Sequence, residues 1–145
     1  MAVSVRVIVT HTKPDLDEIT AWWQACRFGE KIFPGAKEAY VVFVSERSPG
    51  YKGRMPKECE QDGILLLGVG GGQFDEHPND GKGRKENECA ATLMAKALGI
   101  EEDPAMERIL RFVFNVDTKP CKQPFDLAKM VENMHAKHIL TILKW

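Results

Sequence analysis

Three residues near the start of the chain have the types and spacing of a metal site. His11, Asp15 and Asp17 form an H-x3-D-x-D pattern directly after a β-branched stretch. Carboxylates are hard oxygen ligands for divalent cations, and imidazole suits manganese, iron or zinc. The pattern predicts side chains that converge on divalent ions. A second explanation stays open, because Asp15 and Glu18 also form a D-x-x-E capping box and Asp17 suits a first helical turn, although capping leaves His11 unexplained.

A second cluster of acids and imidazole follows a glycine-rich stretch. Asp75, Glu76 and His77 come after the sequence Gly-Val-Gly-Gly-Gly at 68–72, and no Gly-Lys-Ser/Thr follows, which excludes a Walker P-loop. The alternative is a polar turn with a capping aspartate. Two such clusters, each after an apolar strand-like stretch, favour a functional explanation. Further along, Asp117 is either another acidic ligand or a turn residue.

A basic loop follows the second cluster. Lys82, Arg84 and Lys85 lie among glycines and polar residues at 79–85. The composition is typical of a flexible loop, and the cations predict a lid that binds phosphate. A plain solvated loop is the alternative. Other cations that could add to a phosphate site lie in the preceding polar stretch, namely Arg47, Lys52, Arg54 and Lys57.

The elements that must position these residues alternate between strands and helices. Apolar and β-branched runs predict strands over 3–10, 39–44 and 63–69, and 46–61 is predicted to be a connection. Helical spacing predicts helices from Asp15 to about Gly29 and over 86–98, 104–114 and 124–143. The pattern predicts one α/β domain over 1–145, with a mainly parallel sheet and helices on both faces. Ligands bind at the carboxyl ends of the strands in such sheets, and both clusters follow strands.

Composition narrows the functional classes. The chain has 145 residues, enough for one domain, and a formal net charge of -1, which excludes the global positive field of a histone-like DNA-binding protein. No apolar run approaches the roughly 20 residues that a membrane span needs, and the first ten residues do not resemble a signal peptide. We therefore predict a cytoplasmic protein without a membrane partner. Its four cysteines form no CxxC pair and are expected to be free thiols.

Two stretches resemble the DHH phosphoesterase superfamily. The sequence Val-Thr-His-Thr-Lys-Pro-Asp-Leu-Asp at 9–17 resembles the first motif of that superfamily. The sequence Leu-Gly-Val-Gly-Gly-Gly at 67–72, followed by Phe-Asp-Glu-His at 74–77, resembles the DHH stretch of the melanocyte-proliferating-gene branch. The resemblance covers roughly positions 5–25 and 62–119. It implies a DHH-like domain that uses one or two divalent ions, most characteristically manganese.

The resemblance also implies roles for the candidate residues. His11 and Asp15 would bind one metal and Asp17 the other, while Asp75 and Glu76 would add ligands. His77 would contact the substrate or donate a proton, Asp75 would be catalytic with it as well as a ligand, and the last family aspartate could match Asp117. The chain departs from the family at Gly68, where the family usually has an aspartate that bridges two metals. Asp75 as a replacement, a one-metal site and a loss of catalysis are the alternatives, and Gly68→Asp is expected to tighten manganese binding.

Three functions follow as hypotheses. The first is a metal-dependent phosphoester hydrolase that acts on a nucleotide, a short single-stranded oligonucleotide or a related phosphorylated molecule. In it, metal-activated water attacks phosphorus, and His77 protonates the leaving oxygen. The second is a catalytically degenerate module that binds phosphate or nucleotides. The third is an interaction protein that forms a homodimer through the helix predicted over 124–143.

Overall fold

Three parallel strands form the sheet from which the candidate residues extend. The computed structural model describes residues 2–45, 48–77, 85–119 and 130–131. The strands are β1 (Val7–His11), β2 (Tyr40–Val44) and β3 (Ile64–Leu66), and their order in the sheet is β2-β1-β3. Val7 pairs with Tyr40 on one side and with Ile64 on the other, and both pairings are parallel. Because β1 is central and parallel to both neighbours, the carboxyl ends of all three strands lie at one edge of the sheet.

Helices cover both faces of this sheet. They are α1 (Leu16–Phe28), α2 (Pro56–Gln61), α3 (Ala90–Leu98) and α4 (Pro104–Thr118). On one face, Ile8 and Leu65 are buried in a core with Trp22 of α1. On the other face, Val9 and Leu66 pack around Cys59 of α2. Alternate side chains of each strand therefore enter different cores, as the two-residue period of a strand requires. The predicted α/β class, with a parallel sheet and helices on both faces, is confirmed.

Two elements differ from the sequence prediction in ways that matter for the site. The stretch predicted to be a connection contains α2, which begins with Pro56 at its first position, where proline needs no hydrogen-bond partner for its nitrogen. Helix α4 continues to Thr118 instead of ending near Phe114. Asp117 therefore lies on the last turn of a helix, and its interpretation as a turn residue is wrong.

Most of the helix predicted over 124–143 lies outside the described residues. Within that range only 130–131 are described, and they are helical. The predicted homodimer surface otherwise falls outside the described part. Cys26, Cys59 and Cys89 are free thiols, as expected, while Cys121 is outside the described residues. Within the described ranges, none of the helices has both the length and the apolar character needed to cross a membrane.

Candidate metal centre

A cleft of about 450 Å³ opens at the edge of the sheet where β1 and β2 end. Its walls come from four separate parts of the chain: the end of β1 with the first turn of α1, the end of β2, the loop after β3, and the last turn of α4. The residues that line it are His11, Thr12, Lys13, Asp15, Glu18, Val44, Ser45, Glu76, His77 and Asp117. Five of the predicted site residues thus share one cleft, while Asp17 and Asp75 lie behind its surface.

Asp15 caps the first turn of α1 and also lines the cleft. It is the N-cap residue, and its Oδ1 accepts hydrogen bonds from the backbone N–H of Asp17 at 2.8 Å and of Glu18 at 3.4 Å. Glu18 Oε2 accepts a hydrogen bond from the backbone N–H of Asp15 at 2.8 Å, which completes the capping box. The capping explanation is therefore confirmed. It does not remove Asp15 from the cleft, because both cap bonds use Oδ1 and the other oxygen, Oδ2, is not needed for them.

Asp17 is buried and holds the N-terminus of another helix. Its Oδ2 accepts a hydrogen bond from the backbone N–H of Ala90 and its Oδ1 from that of Ala91, both at 2.8 Å. These are the first two residues of α3, whose unsatisfied N–H groups and positive dipole end favour a carboxylate. Asp17 thus joins α1 to α3. Its carboxylate still lies within 4.8 Å of ligand atoms of Asp15 and Asp117.

Glu18 lines the cleft beside His11. Its side chain is 8% exposed, and its Oε1 is 3.8 Å from Nε2 of His11. The same side chain lies against the α-carbon of Gly68: a Cβ atom at position 68 would be 2.7 Å from Cγ and 2.8 Å from Oε1 of Glu18. Glu18 therefore occupies the space into which a side chain at position 68 would project.

Asp75 organises the glycine-rich turn after β3. Its Oδ2 accepts a hydrogen bond from the backbone N–H of Gly71 at 2.8 Å, and its Oδ1 accepts one from the backbone N–H of His77 at 3.0 Å. Gly71 has a φ of +66°, a conformation that favours glycine. Nδ1 of His77 lies 3.1 Å from the same Oδ1 of Asp75. The described contacts of Asp75 therefore position a loop and an imidazole.

His77 presents one ring nitrogen to a carboxylate. Because a carboxylate can only accept, its pairing with Nδ1 places the proton there in the neutral ring and leaves Nε2 with a lone pair. The ring side chain is 43% exposed, whereas the side chain of the neighbouring Glu76 is 3% exposed. Oε1 of Glu76 is 3.5 Å from His77 Nδ1, and ligand atoms of Asp75, Glu76 and His77 lie within 4.8 Å of one another. This is a compact donor set of mixed imidazole and carboxylate character.

Burial raises the free-energy cost of keeping the carboxylates of the site negatively charged without a bound proton or cation. It raises the pKa of Glu18 well above the ordinary value of 4.5, and the negative charge of Asp15 raises it further. Burial likewise raises the pKa of Asp17 above 3.8, although hydrogen bonds from Cys89 and from the backbone of α3 oppose the rise. Buried carboxyls of this kind favour neutralisation by a proton or a cation. Hard oxygen donors with two imidazoles suit a divalent transition metal such as manganese, so the donor set fits such an ion.

Of the three residues predicted to bind phosphate, Lys85 alone lies within the described part of the chain. Nζ of Lys85 donates a hydrogen bond to the backbone carbonyl of Asp75 at 3.0 Å, so this lysine braces the loop. Lys82, Arg84 and Arg47 lie outside the described residues. Arg54 donates to Asp62 at 2.6 Å and is engaged at α2. Lys13 is exposed and lines the cleft.

Sequence analysis missed Glu18 and Lys13 as members of the site. The sequence pattern gives Glu18 a role in the capping box alone and gives Lys13 no role. For Glu18, the available signal is the glycine at position 68, which leaves space that another side chain can fill. The capping box gives no such signal, because it does not require a buried glutamate. For Lys13, its position between His11 and Asp15 places it at the carboxyl end of a strand.

Comparisons with models of protein families, with curated proteins and with solved structures find no match for this chain.

Proposed function

We propose that the protein is a metal-dependent phosphoester hydrolase of DHH-like type. Its substrate would be a nucleotide, a short single-stranded oligonucleotide or a related phosphorylated molecule. The observation that carries the proposal is the convergence of His11, Glu76, His77 and Asp117 with Asp15 on one cleft, although up to about a hundred positions separate them in the chain. Capping explains Asp15 and loop formation explains Asp75, but neither brings two imidazoles and Asp117 to the same opening.

The donor atoms fall into two groups around this cleft. Asp15, Asp17 and Asp117 form one group and Asp75, Glu76 and His77 the other, each with ligand atoms within 4.8 Å of one another. His11 belongs to the cleft between them. The carboxylates of both groups, together with His11, would hold one or two divalent ions, and the resemblance to the DHH superfamily makes manganese the first ion to test.

Proton transfer and phosphate binding are assigned to side chains of the protein itself. A divalent cation bound here would lower the pKa of coordinated water and withdraw charge from phosphoryl oxygens. His77, held by Asp75 through Nδ1, can use Nε2 to hold or donate a proton at the leaving oxygen. Lys13, exposed at the opening, supplies a positive charge for a substrate phosphate. The formal net charge of -1 favours small phosphorylated substrates over long duplexes.

A second candidate function is a catalytically degenerate module that binds phosphate or nucleotides. Gly68 is the specific observation that favours it. The family resemblance places a metal-bridging aspartate at this position, and glycine offers no ligand. A module of this kind would bind a metal ion and a phosphorylated molecule without turnover.

The test is hydrolysis of phosphodiesters by the full chain after treatment with a chelator. The assay would add manganese, magnesium, cobalt or zinc and follow bis-p-nitrophenyl phosphate, short RNA and short DNA. We expect turnover with manganese that is lost again on chelation. Asp117→Asn should reduce the rate by about 100-fold or more, because loss of a ligand weakens both metal affinity and charge balance.

Asp103→Asn is the matched control for that variant. Asp103 is the exposed N-cap residue of α4, about 21 Å from Asp117 along the helix. It should leave the rate unchanged. Binding of manganese and a nucleoside monophosphate without turnover would favour the degenerate module, and absence of both would refute the metal-based proposals together.

A further inference from the structure

Position 68 combines a special backbone conformation with a close neighbour. Gly68 has a φ of +64°, and its N–H donates to the carbonyl of Phe74 at 2.9 Å as the chain leaves β3. A Cβ at this position would meet Cγ of Glu18 at 2.7 Å, closer than non-bonded carbon atoms pack. The side chain of Glu18 can therefore take its present position only because residue 68 has no side chain.

Glu18 brings a carboxylate into that space. Its Oε2 is engaged with the backbone N–H of Asp15, whereas Oε1 lies 3.8 Å from Nε2 of His11 and 2.8 Å from the Cβ position of residue 68. A side chain at position 68 would start 2.8 Å from Oε1 of Glu18, closer than unbonded atoms of this kind pack. The two positions therefore compete for the same space beside His11.

We propose that Glu18 is a metal ligand that replaces the carboxylate missing at position 68, so that Glu18 and Gly68 form an exchangeable pair. This inference rests on the proposed function, because it assigns a further ligand to the same metal centre. It also reverses the expectation for Gly68→Asp from the sequence. Since the space is already filled, an aspartate at position 68 on its own would collide with Glu18 and place a second negative charge beside it.

The exchange can be tested with five proteins. Manganese affinity would be measured by isothermal titration calorimetry on the full-length wild type, Glu18→Gln, Glu18→Ala, Gly68→Asp and the double variant Glu18→Ala/Gly68→Asp. Glu18→Gln keeps the size and the cap acceptor but loses the charge, and it should weaken binding by about 10- to 100-fold. Gly68→Asp alone should also weaken binding.

The double variant is the decisive protein. It moves the carboxylate from residue 18 to residue 68, and aspartate tolerates a positive φ better than most residues do. We expect it to bind manganese at least about tenfold more tightly than the single variant Glu18→Ala, a non-additive result that shows coupling of the two positions. Circular dichroism and thermal melting in the presence of chelator would establish that each variant folds.

Glu58→Ala provides the control for the loss of a cap. Glu58 accepts the N–H of the cap residue Met55 at 2.7 Å, as Glu18 does for Asp15, but Glu58 is exposed. It should leave manganese affinity unchanged. If the wild type binds manganese while Glu18→Gln binds it equally well, the exchange is refuted and the proposed metal site stands. If the double variant is no tighter than Glu18→Ala, the exchange is also refuted. If the wild type binds no divalent metal, the proposed function itself fails.

Discussion

Two glutamates of this protein make the same hydrogen bond in opposite surroundings. Glu18 at the start of α1 and Glu58 at the start of α2 are both third in their helices, and each accepts the N–H of its cap residue, at 2.8 and 2.7 Å. Glu58 does so at the surface. Glu18 does so while buried, beside His11 and against the α-carbon of Gly68.

The comparison shows that a cap hydrogen bond does not require the carboxylate to be buried. A cap bond forms equally well in water, so it supplies no reason to bury a carboxylate and raise its pKa. The aspartates repeat the contrast, because Asp103 caps α4 at the surface, whereas Asp17 holds α3 from a buried position. In both pairs the buried acid adjoins the cleft and the exposed acid does not, whereas Asp15 and Asp117, which line the cleft, are half-buried.

The largest expected effect tests the aspartate pair. Asp17→Ala removes the acceptor of two buried N–H groups of α3 and should lower the free energy of unfolding by about 3 kcal/mol, given roughly 1–3 kcal/mol for each buried group left unpaired. Asp103→Ala should cost about 1 kcal/mol, the usual value for an exposed cap. Urea denaturation with chelator present would measure both. Equal losses would contradict the contrast between buried and exposed acids.

The next effect concerns the space that admits Glu18. Gly68→Ala should lower the free energy of unfolding by about 2 kcal/mol or more, because it adds a collision with Glu18 to the strain of a positive φ. Gly99 has nearly the same φ, +66°, and open space around its Cβ position. Gly99→Ala should therefore cost only about 1 kcal/mol, the backbone term alone. A smaller loss at Gly68 than at Gly99 would show that Glu18 does not fill this space.

The smallest effect is a pH dependence. The folded protein binds a proton at Glu18 more tightly than the unfolded chain does, since the pKa is raised above 4.5 in the fold. The associated stability is fully present below pH 4.5 and is lost as pH rises through the raised pKa, with a slope of at most about 1.4 kcal/mol per pH unit for one proton. Without metal, Glu18→Gln should become relatively more stable than the wild type as pH rises. Parallel pH profiles for Glu18→Gln and the wild type would contradict the assigned burial.

Sequence patterns predicted the sheet well and the site unevenly. The β-branched run that contains β1 and the apolar runs of β2 and β3 determine the parallel sheet, and both chemical clusters follow strands as predicted. Local sequence patterns failed to predict the roles of residues that depend on contacts with distant parts of the chain. Nothing near Asp17 in the sequence indicates that it holds α3, more than seventy positions away. Likewise, the relation of Glu18 to Gly68 exists only after β1 and β3 pair with neighbouring helices in place.

The most direct test of the central claim is whether this cleft binds a divalent cation through residues from its separate walls. Manganese binding would be followed by the loss of the electron paramagnetic resonance signal of the free ion, for the wild type, the variant His11→Ala/Asp117→Ala and the control Asp103→Ala. We predict saturable binding to the wild type and the control, and binding at least about tenfold weaker for the double variant. Absence of saturable binding to the wild type, or equal affinity for all three proteins, would contradict the account.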